Sequence, residues 1–206
     1  MNLYSNYVLP RLIDLVMRGK AQGEERAKLV PLASGVVLEI GSGSGLNARF
    51  LGPGVTRVYA LDPSRPLWRL GRGRLQAARV PVSFVAASGE AVLLDRGVID
   101  TVLMTWTLCS ISDARTALSE IRRVLKPGGR LLFIEHGLAP DPSVRRWQER
   151  LNPVWRRFAG GCNLDRPIDT LIGDAGFEFT CLERGYGAGP RPFGYLYRGV
   201  AEARAR

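Results

Sequence analysis

The chain alternates between short, continuous apolar runs and longer segments in which apolar residues recur every three or four positions. That alternation marks βαβ units feeding a parallel sheet. Val36–Ile40 predicts a first buried strand, followed by glycines and a helix from about Leu46. Arg57–Leu61 predicts a second strand ending at Asp62-Pro63, Pro66–Ala78 a helix, and Val82–Ala86 a third strand. Val98–Met104 is apolar almost throughout, as a central parallel strand covered on both faces should be. Asp113–Leu125 places Ala117, Leu118, Ile121 and Leu125 at helical spacing, with Ser112 as N-cap. Lys126-Pro127-Gly128-Gly129 breaks that helix, and Arg130–Glu135 predicts a fifth strand.

The later chain is less regular. Ser143–Phe158 predicts an amphipathic helix interrupted at Pro153, and Pro167–Ala175 a further helix. A strand pair follows at Phe177–Glu183 and Phe193–Arg198, with Phe193, Tyr195 and Tyr197 on one face. Near the start, Pro10–Arg18 predicts a short helix with Leu12, Ile13, Val16 and Met17 along one side; proline is acceptable in its first turn.

Composition changes this picture little. The 206 residues are 46% apolar, enough for one core. The longest charge-free apolar stretch, Thr101–Ile111, is far short of a membrane span. Arg11, Asp14 and Arg18 interrupt the early apolar stretch, so a signal peptide is not expected and a cytoplasmic location is. The formal charge of +10 comes from a chain with 29 basic residues, nearly all arginine. Clusters at Arg65–Arg79 and Arg145–Arg157 read as solvated helical faces or as contacts for an anionic partner. Cys109, Cys162 and Cys181 show no metal-ligand spacing and no disulfide framework. With His136 the sole histidine, no metal is expected.

The sharpest local signal is Leu38-Glu39-Ile40-Gly41-Ser42-Gly43-Ser44-Gly45. A glycine turn after a first strand lets backbone approach a ligand closely. The third glycine of the dinucleotide fingerprint would fall at Leu46, where it is absent. Glu39, ahead of the turn, would repel a pyrophosphate but attract the sulfonium and ammonium of S-adenosylmethionine. Asp62, ending the second strand, suits the two ribose hydroxyls. Ala87 and Ser88, after the third strand, lie where an adenine belongs.

LEIGSGSG, LDPS, VIDTVLMTWTLCSI and EIRRVLKPGGRLLFIEHG, in that order over residues 35–137, resemble the class I S-adenosylmethionine-dependent methyltransferases called methyltransferase type 11. Further on, Trp147, Leu151-Asn152-Pro153, Trp155, Gly161-Cys162-Asn163-Leu164 and Arg166 resemble the animal alkyl-thiol S-methyltransferase-like proteins and their short bacterial relatives. Cys109-Ser110 and Glu135-His136 share in this. The animal proteins open with a hydrophobic anchoring helix, where this chain has a shorter amphipathic stretch. The last thirty or so residues match less clearly.

The resemblance implies an α/β, Rossmann-like, doubly wound sheet of seven mainly parallel strands in three αβα layers, the last strand antiparallel. One domain is expected over 1–206, with a helical cap at 1–30 and a lid or substrate segment at 138–165. S-adenosyl-L-methionine, leaving as S-adenosyl-L-homocysteine, would meet Glu39, Gly41, Ser42, Gly43, Gly45, Asn47, Asp62, Pro63, Ala87, Ser88 and Thr105. His136 is the expected general base. Cys109, Glu135, Trp147, Trp155 and Cys162 are the expected substrate contacts.

A small-molecule or lipid-like acceptor fits this site, with a thiol favoured by the resemblance. Phosphatidylethanolamine N-methylation at a membrane surface is the alternative, on account of the basic clusters, the N-terminal helix and the aromatic lid. A non-catalytic S-adenosylmethionine-binding module is a third reading. The missing fingerprint glycine disfavours a nicotinamide oxidoreductase. A nucleic-acid methyltransferase is disfavoured because no aromatic run offers a stacking platform for a flipped base. The acceptor atom and the oligomeric state stay open.

Overall fold

The computed structural model of the chain describes residues 3–204. A helical turn over Tyr4–Val8 leads into α1 (Leu9–Met17) and α2 (Lys20–Leu29). Then come β1 (Gly35–Ile40), β2 (Val55–Leu61), α3 (Arg65–Gln76), β3 (Val82–Val85) and β4 (Ile99–Thr105). The chain continues through α4 (Ala114–Val124), β5 (Leu125–His136), α5 (Pro142–Phe158), α6 (Ile168–Asp174), β6 (Phe177–Tyr186) and β7 (Tyr195–Ala203).

The seven strands form one sheet in the order β3-β2-β1-β4-β5-β7-β6. The first five are parallel, and β7 runs antiparallel between β5 and β6. One side of the sheet buries Leu38, Met104 and Phe133 against α4 residues such as Leu118 and Ile121. The other buries Val37, Leu103 and Leu132 against Leu29 and Val30 at the end of α2.

Local rules explain the element ends. Ser64 caps α3 by accepting the Leu67 N–H at 3.3 Å, with Pro66 in the first turn. The cap of α4 is Asp113, not Ser112: its carboxylate accepts the Thr116 N–H at 3.0 Å. A short side chain one residue closer to the helix reaches the free N–H groups of the first turn.

Four other expectations need correction. The helix foreseen from Leu46 is only a tight turn over Ala48–Phe50, because Gly52-Pro53-Gly54 closes the short link to β2. Lys126–Gly129 does not precede the fifth strand but bulges within it, the register jumping from Ile99↔Leu125 to Thr101↔Arg130. Pro153 lies inside a continuous α5. Phe193 belongs to a short turn of helix at Arg191–Gly194, so β7 begins at Tyr195. Helix α2 lacks any apolar stripe, and its periodicity gave no sign of it.

Among the described residues, no helix is long and apolar enough to cross a membrane.

Candidate active site

The strand order reverses between β1 and β4, where open α/β sheets leave a crevice at their carboxyl ends. Here it holds a cavity of about 790 Å³, within the usual range for small-molecule sites. Its floor is the glycine turn, one wall runs through Asp62–Ser64 and Ser88–Glu90, and the other through Thr105–Thr107, Cys109–Ser112 and His136. Helix α1 and the end of α5 roof it.

The floor is fixed by charge and hydrogen bonding. Asp62 accepts the Gly43 N–H and the Ser64 N–H, both at 2.7 Å. Burial raises its carboxyl above the ordinary value, and those two N–H groups hold it back. Glu39 accepts from Asn47 Nδ2 at 2.8 Å, and that amide also donates to Thr105 Oγ1 at 3.0 Å. Burial pushes the Glu39 carboxyl up to about 7 against the opposing pull of Asn47 and Arg26. Ser42 Oγ is buried with no hydrogen-bond partner among the described residues. Gly41 adopts a positive φ of 71°, and a Cβ there would meet the Thr107 side chain at 2.2 Å.

Two buried charges hold this floor that sequence reasoning did not single out. Arg26 donates to Asn47 Oδ1 and to the Met17 carbonyl, each at 2.8 Å. Its guanidinium also lies 4.9 Å from the Trp106 ring, a residue in the left-handed region at φ 53°. Burial draws Arg26 down to about 10. Asp14 on α1 accepts from Ser44 Oγ at 2.6 Å and from Arg74 of α3 at 2.8 Å. The N-terminal helix is thereby pinned to the glycine turn. A charged residue in an amphipathic helix reads as solvent-facing until the neighbour it meets is known.

At the other end, the loop after β4 is held from beneath. Glu135 accepts the N–H groups of Thr107, Leu108 and Cys109 at 2.8, 2.9 and 3.2 Å. Asn163 donates its side-chain amide and its backbone N–H to the Cys109 carbonyl, at 2.7 and 2.9 Å, and Arg166 donates to the Leu108 carbonyl. Asn152 accepts the Leu164 N–H at 3.0 Å and donates to Asp165 at 2.7 Å. The Asn152, Asn163 and Arg166 motif residues are thus a frame, and the side chain they present is Cys162.

Cys162 Sγ lies 3.5 Å from Cys109 Sγ and 3.2 Å from His136 Nε2. The hydrogen bond between the thiols lowers Cys162 and raises Cys109. Burial lowers the His136 imidazole, but Cys162 more than reverses this.

Most predicted site residues meet in this one cavity, including Glu39, Ser42, Asp62, Ser88, Thr105, Cys109, His136, Trp155 and Cys162. Four do not line it. Gly45 turns towards α3, where a Cβ would meet Leu75 at 2.8 Å. Ala87 packs against the core. Glu135 is fully buried as the loop anchor. Trp147 is on the outer side of α5, 55% exposed, with Arg150 over its ring.

Residues 38–133 match the family described as a methyltransferase domain. Human thiol S-methyltransferase TMT1B is 38% identical over 158 residues, 74% of this chain and 64% of that protein. Demethylmenaquinone methyltransferase of Clavibacter sepedonicus is 34% identical over 118 residues, 57% of this chain and 48% of that protein. The chain therefore spans less than two thirds of either relative's length. Among solved structures, a chain from the complex of the Haloferax volcanii Trm112 methyltransferase activator superposes with a TM-score of 0.69 at 19% identity, covering 98% of this chain and 96% of that one.

Proposed function

Residues 38–133 belong to the methyltransferase-domain family, and on that premise we propose that this chain is a class I S-adenosylmethionine-dependent enzyme that methylates a small acceptor, a thiol above all. One observation carries the reading: a single cavity joins the Glu39–Asp62 floor to the Cys109–His136–Cys162 cluster under an apolar roof.

The floor suits S-adenosylmethionine on chemical grounds. Ser42 Oγ is a buried polar atom that no group among the described residues satisfies. A Cβ on Gly43 would find nothing nearer than 3.9 Å and so would project into the space a ligand needs. Glu39 and Asp62 are the anions, one for a cationic amino-acid end and one for vicinal hydroxyls. S-adenosylmethionine supplies, when bound, a methyl group already activated on a sulfonium.

The chain's own work is then to orient the acceptor, keep water out and remove a proton. Trp155 and Phe193, with ring centroids 4.7 Å apart, and Phe158 supply the apolar cover. His136 Nε2 is engaged with Cys162 Sγ, so proton removal belongs to the cluster rather than to a free imidazole. The name of the human relative, thiol S-methyltransferase, supports sulfur as the acceptor atom.

A lipid-like acceptor has its own support. Leu12 and Val16 of α1 both line the cavity and are largely exposed, so the cavity mouth is apolar. The N-terminal helical segment and α5, which roof the cavity, also carry the exposed apolar residues Leu3, Val8, Leu15, Val154 and Phe158 and the exposed Arg11, Arg18, Arg150 and Arg157. That combination suits peripheral contact with an anionic membrane.

Methyl-labelled S-adenosylmethionine offered with small alkyl thiols, phosphatidylethanolamine vesicles, phenolic quinone precursors and RNA tests both readings. Label in a thioether supports the thiol reading. Label in the lipid head group or on a quinone ring replaces it. Cofactor binding with no labelled acceptor reduces the chain to a binding module.

A further inference from the structure

Cys109, His136 and Cys162 come from three separate parts of the chain: the loop after β4, the end of β5 and the segment after α5. No spacing along the sequence links them. The fold nevertheless brings one donor atom from each within 4.8 Å of the others, all in buried surroundings at the cavity wall.

The separations at Cys162 are close to those of a coordination shell. A tetrahedral zinc with ordinary zinc–sulfur and zinc–nitrogen bonds has ligand edges of about 3.8 Å between sulfurs and about 3.6 Å between sulfur and nitrogen. The two edges that meet at Cys162 are 3.5 Å and 3.2 Å, and the third, between Cys109 and His136, lies within 4.8 Å. A cation would spread the two edges at Cys162 by a few tenths of an ångström.

The backbone around the cluster is unusually fixed. Glu135 accepts the Cys109 N–H, and Asn163 donates twice to the Cys109 carbonyl. Asn163 follows Cys162 directly and also donates to the Gly161 carbonyl at 3.0 Å. These hydrogen bonds fix the backbone from which the two thiols project. The charges also balance, since two thiolates, a neutral imidazole and a divalent cation leave a buried site neutral.

We propose that Cys109, Cys162 and His136 bind a thiophilic divalent cation, zinc by preference, with a fourth position open to the cavity. Two sulfurs and one nitrogen with an open position is the pattern of a catalytic rather than a structural zinc site. Resting on the thiol reading given above, the fourth ligand is the acceptor. A thiol entering that position loses its proton to water and binds as a thiolate. Its sulfur lone pair then bonds the methyl carbon while the carbon–sulfonium bond breaks, those electrons staying on the departing thioether sulfur. His136 is a ligand in this scheme, and the cation takes over the ionising role.

Titration of reduced, chelator-stripped, untagged protein with Co²⁺ tests the site without any turnover. One cation per chain is expected, with thiolate-to-cobalt charge-transfer absorption that Zn²⁺ displaces. Cys109→Ser and Cys162→Ser, checked for native circular dichroism, should lose that absorption, while the remote Cys181→Ser keeps it. Addition of a small alkyl thiol to the cobalt form should shift the band. No charge-transfer band in the parent protein, or an unchanged band in both cysteine variants, overturns the proposal. A cobalt site without methyl transfer to any thiol would instead leave the cation site standing and remove the thiol reading.

Discussion

The Gly43 N–H donates to Asp62 Oδ2 at 2.7 Å, tying the glycine turn after β1 to the end of β2. One carboxylate thus sets the shape of the cavity floor and offers its remaining lone pairs to a ligand. Asp62→Ala should weaken S-adenosylhomocysteine binding by roughly 10- to 100-fold, the value of a hydrogen bond to a charged group. Asp62→Asn, which keeps one oxygen, should fall in between. Isothermal titration calorimetry of the three proteins is the check, and unaltered affinity in both variants would move the ribose contact elsewhere.

Glu39 gives a pH signature. Burial raises its carboxyl from an ordinary 4.5 to about 7, so between those values the native state holds a proton that the unfolded chain has released. Its contribution to stability therefore falls as pH rises through that window. Glu39→Gln removes the fall, so the variant should gain on the parent from pH 5 to pH 8 in urea denaturation. Binding of S-adenosylmethionine should move oppositely, the variant's deficit being largest at pH 8, where the parent carries the negative charge.

Two glycines in α3 should respond in opposite directions. A Cβ on Gly71 would sit 2.3 Å from the Ser44 carbonyl carbon, whereas one on Gly73 meets nothing within 4 Å. Gly73→Ala should stabilise by up to about 1 kcal/mol through helix propensity. Gly71→Ala should cost about 1–3 kcal/mol from overpacking and disturb the glycine turn as well. Urea midpoints for the pair decide it, and a stable Gly71→Ala would show that α3 can shift off the turn.

The exposed face of the N-terminal segment predicts peripheral binding. Leu3 and Leu15, 74% and 62% exposed, do not line the cavity. Leu3→Glu with Leu15→Glu should cut co-sedimentation with anionic vesicles by about tenfold or more per side chain, given about 1.5 kcal/mol for each apolar group no longer buried in lipid. Methylation of a water-soluble thiol should not change. Equal sedimentation of parent and variant would assign that face to another partner.

Much of this protein is legible in its residues taken in order. The βαβ alternation, the strands at β1 to β5 and the turn built on Gly41 and Gly43 follow from local periodicity and backbone freedom, properties each segment carries by itself. So do the acidic positions Glu39 and Asp62, because a strand end followed by a tight turn has one place in this architecture. Other features depend on which surfaces meet. Trp147 and Trp155 lie on one helix, yet one faces solvent and the other the cavity, a choice made by the rotation of α5 on its Gln148 and Asn152 contacts. Glu135 reads as a substrate contact but serves as the buried anchor of the β4 loop. Local periodicity does not mark Arg26 or Asp14 as buried, and the packing of α2 and α1 on the floor makes them so. Above all, Cys109, His136 and Cys162 have no common spacing in the sequence, and only the convergence of three chain segments at the carboxyl ends of β4 and β5 makes them neighbours. Periodicity records how each element faces a core; it holds no information on which distant side chains share a point in space.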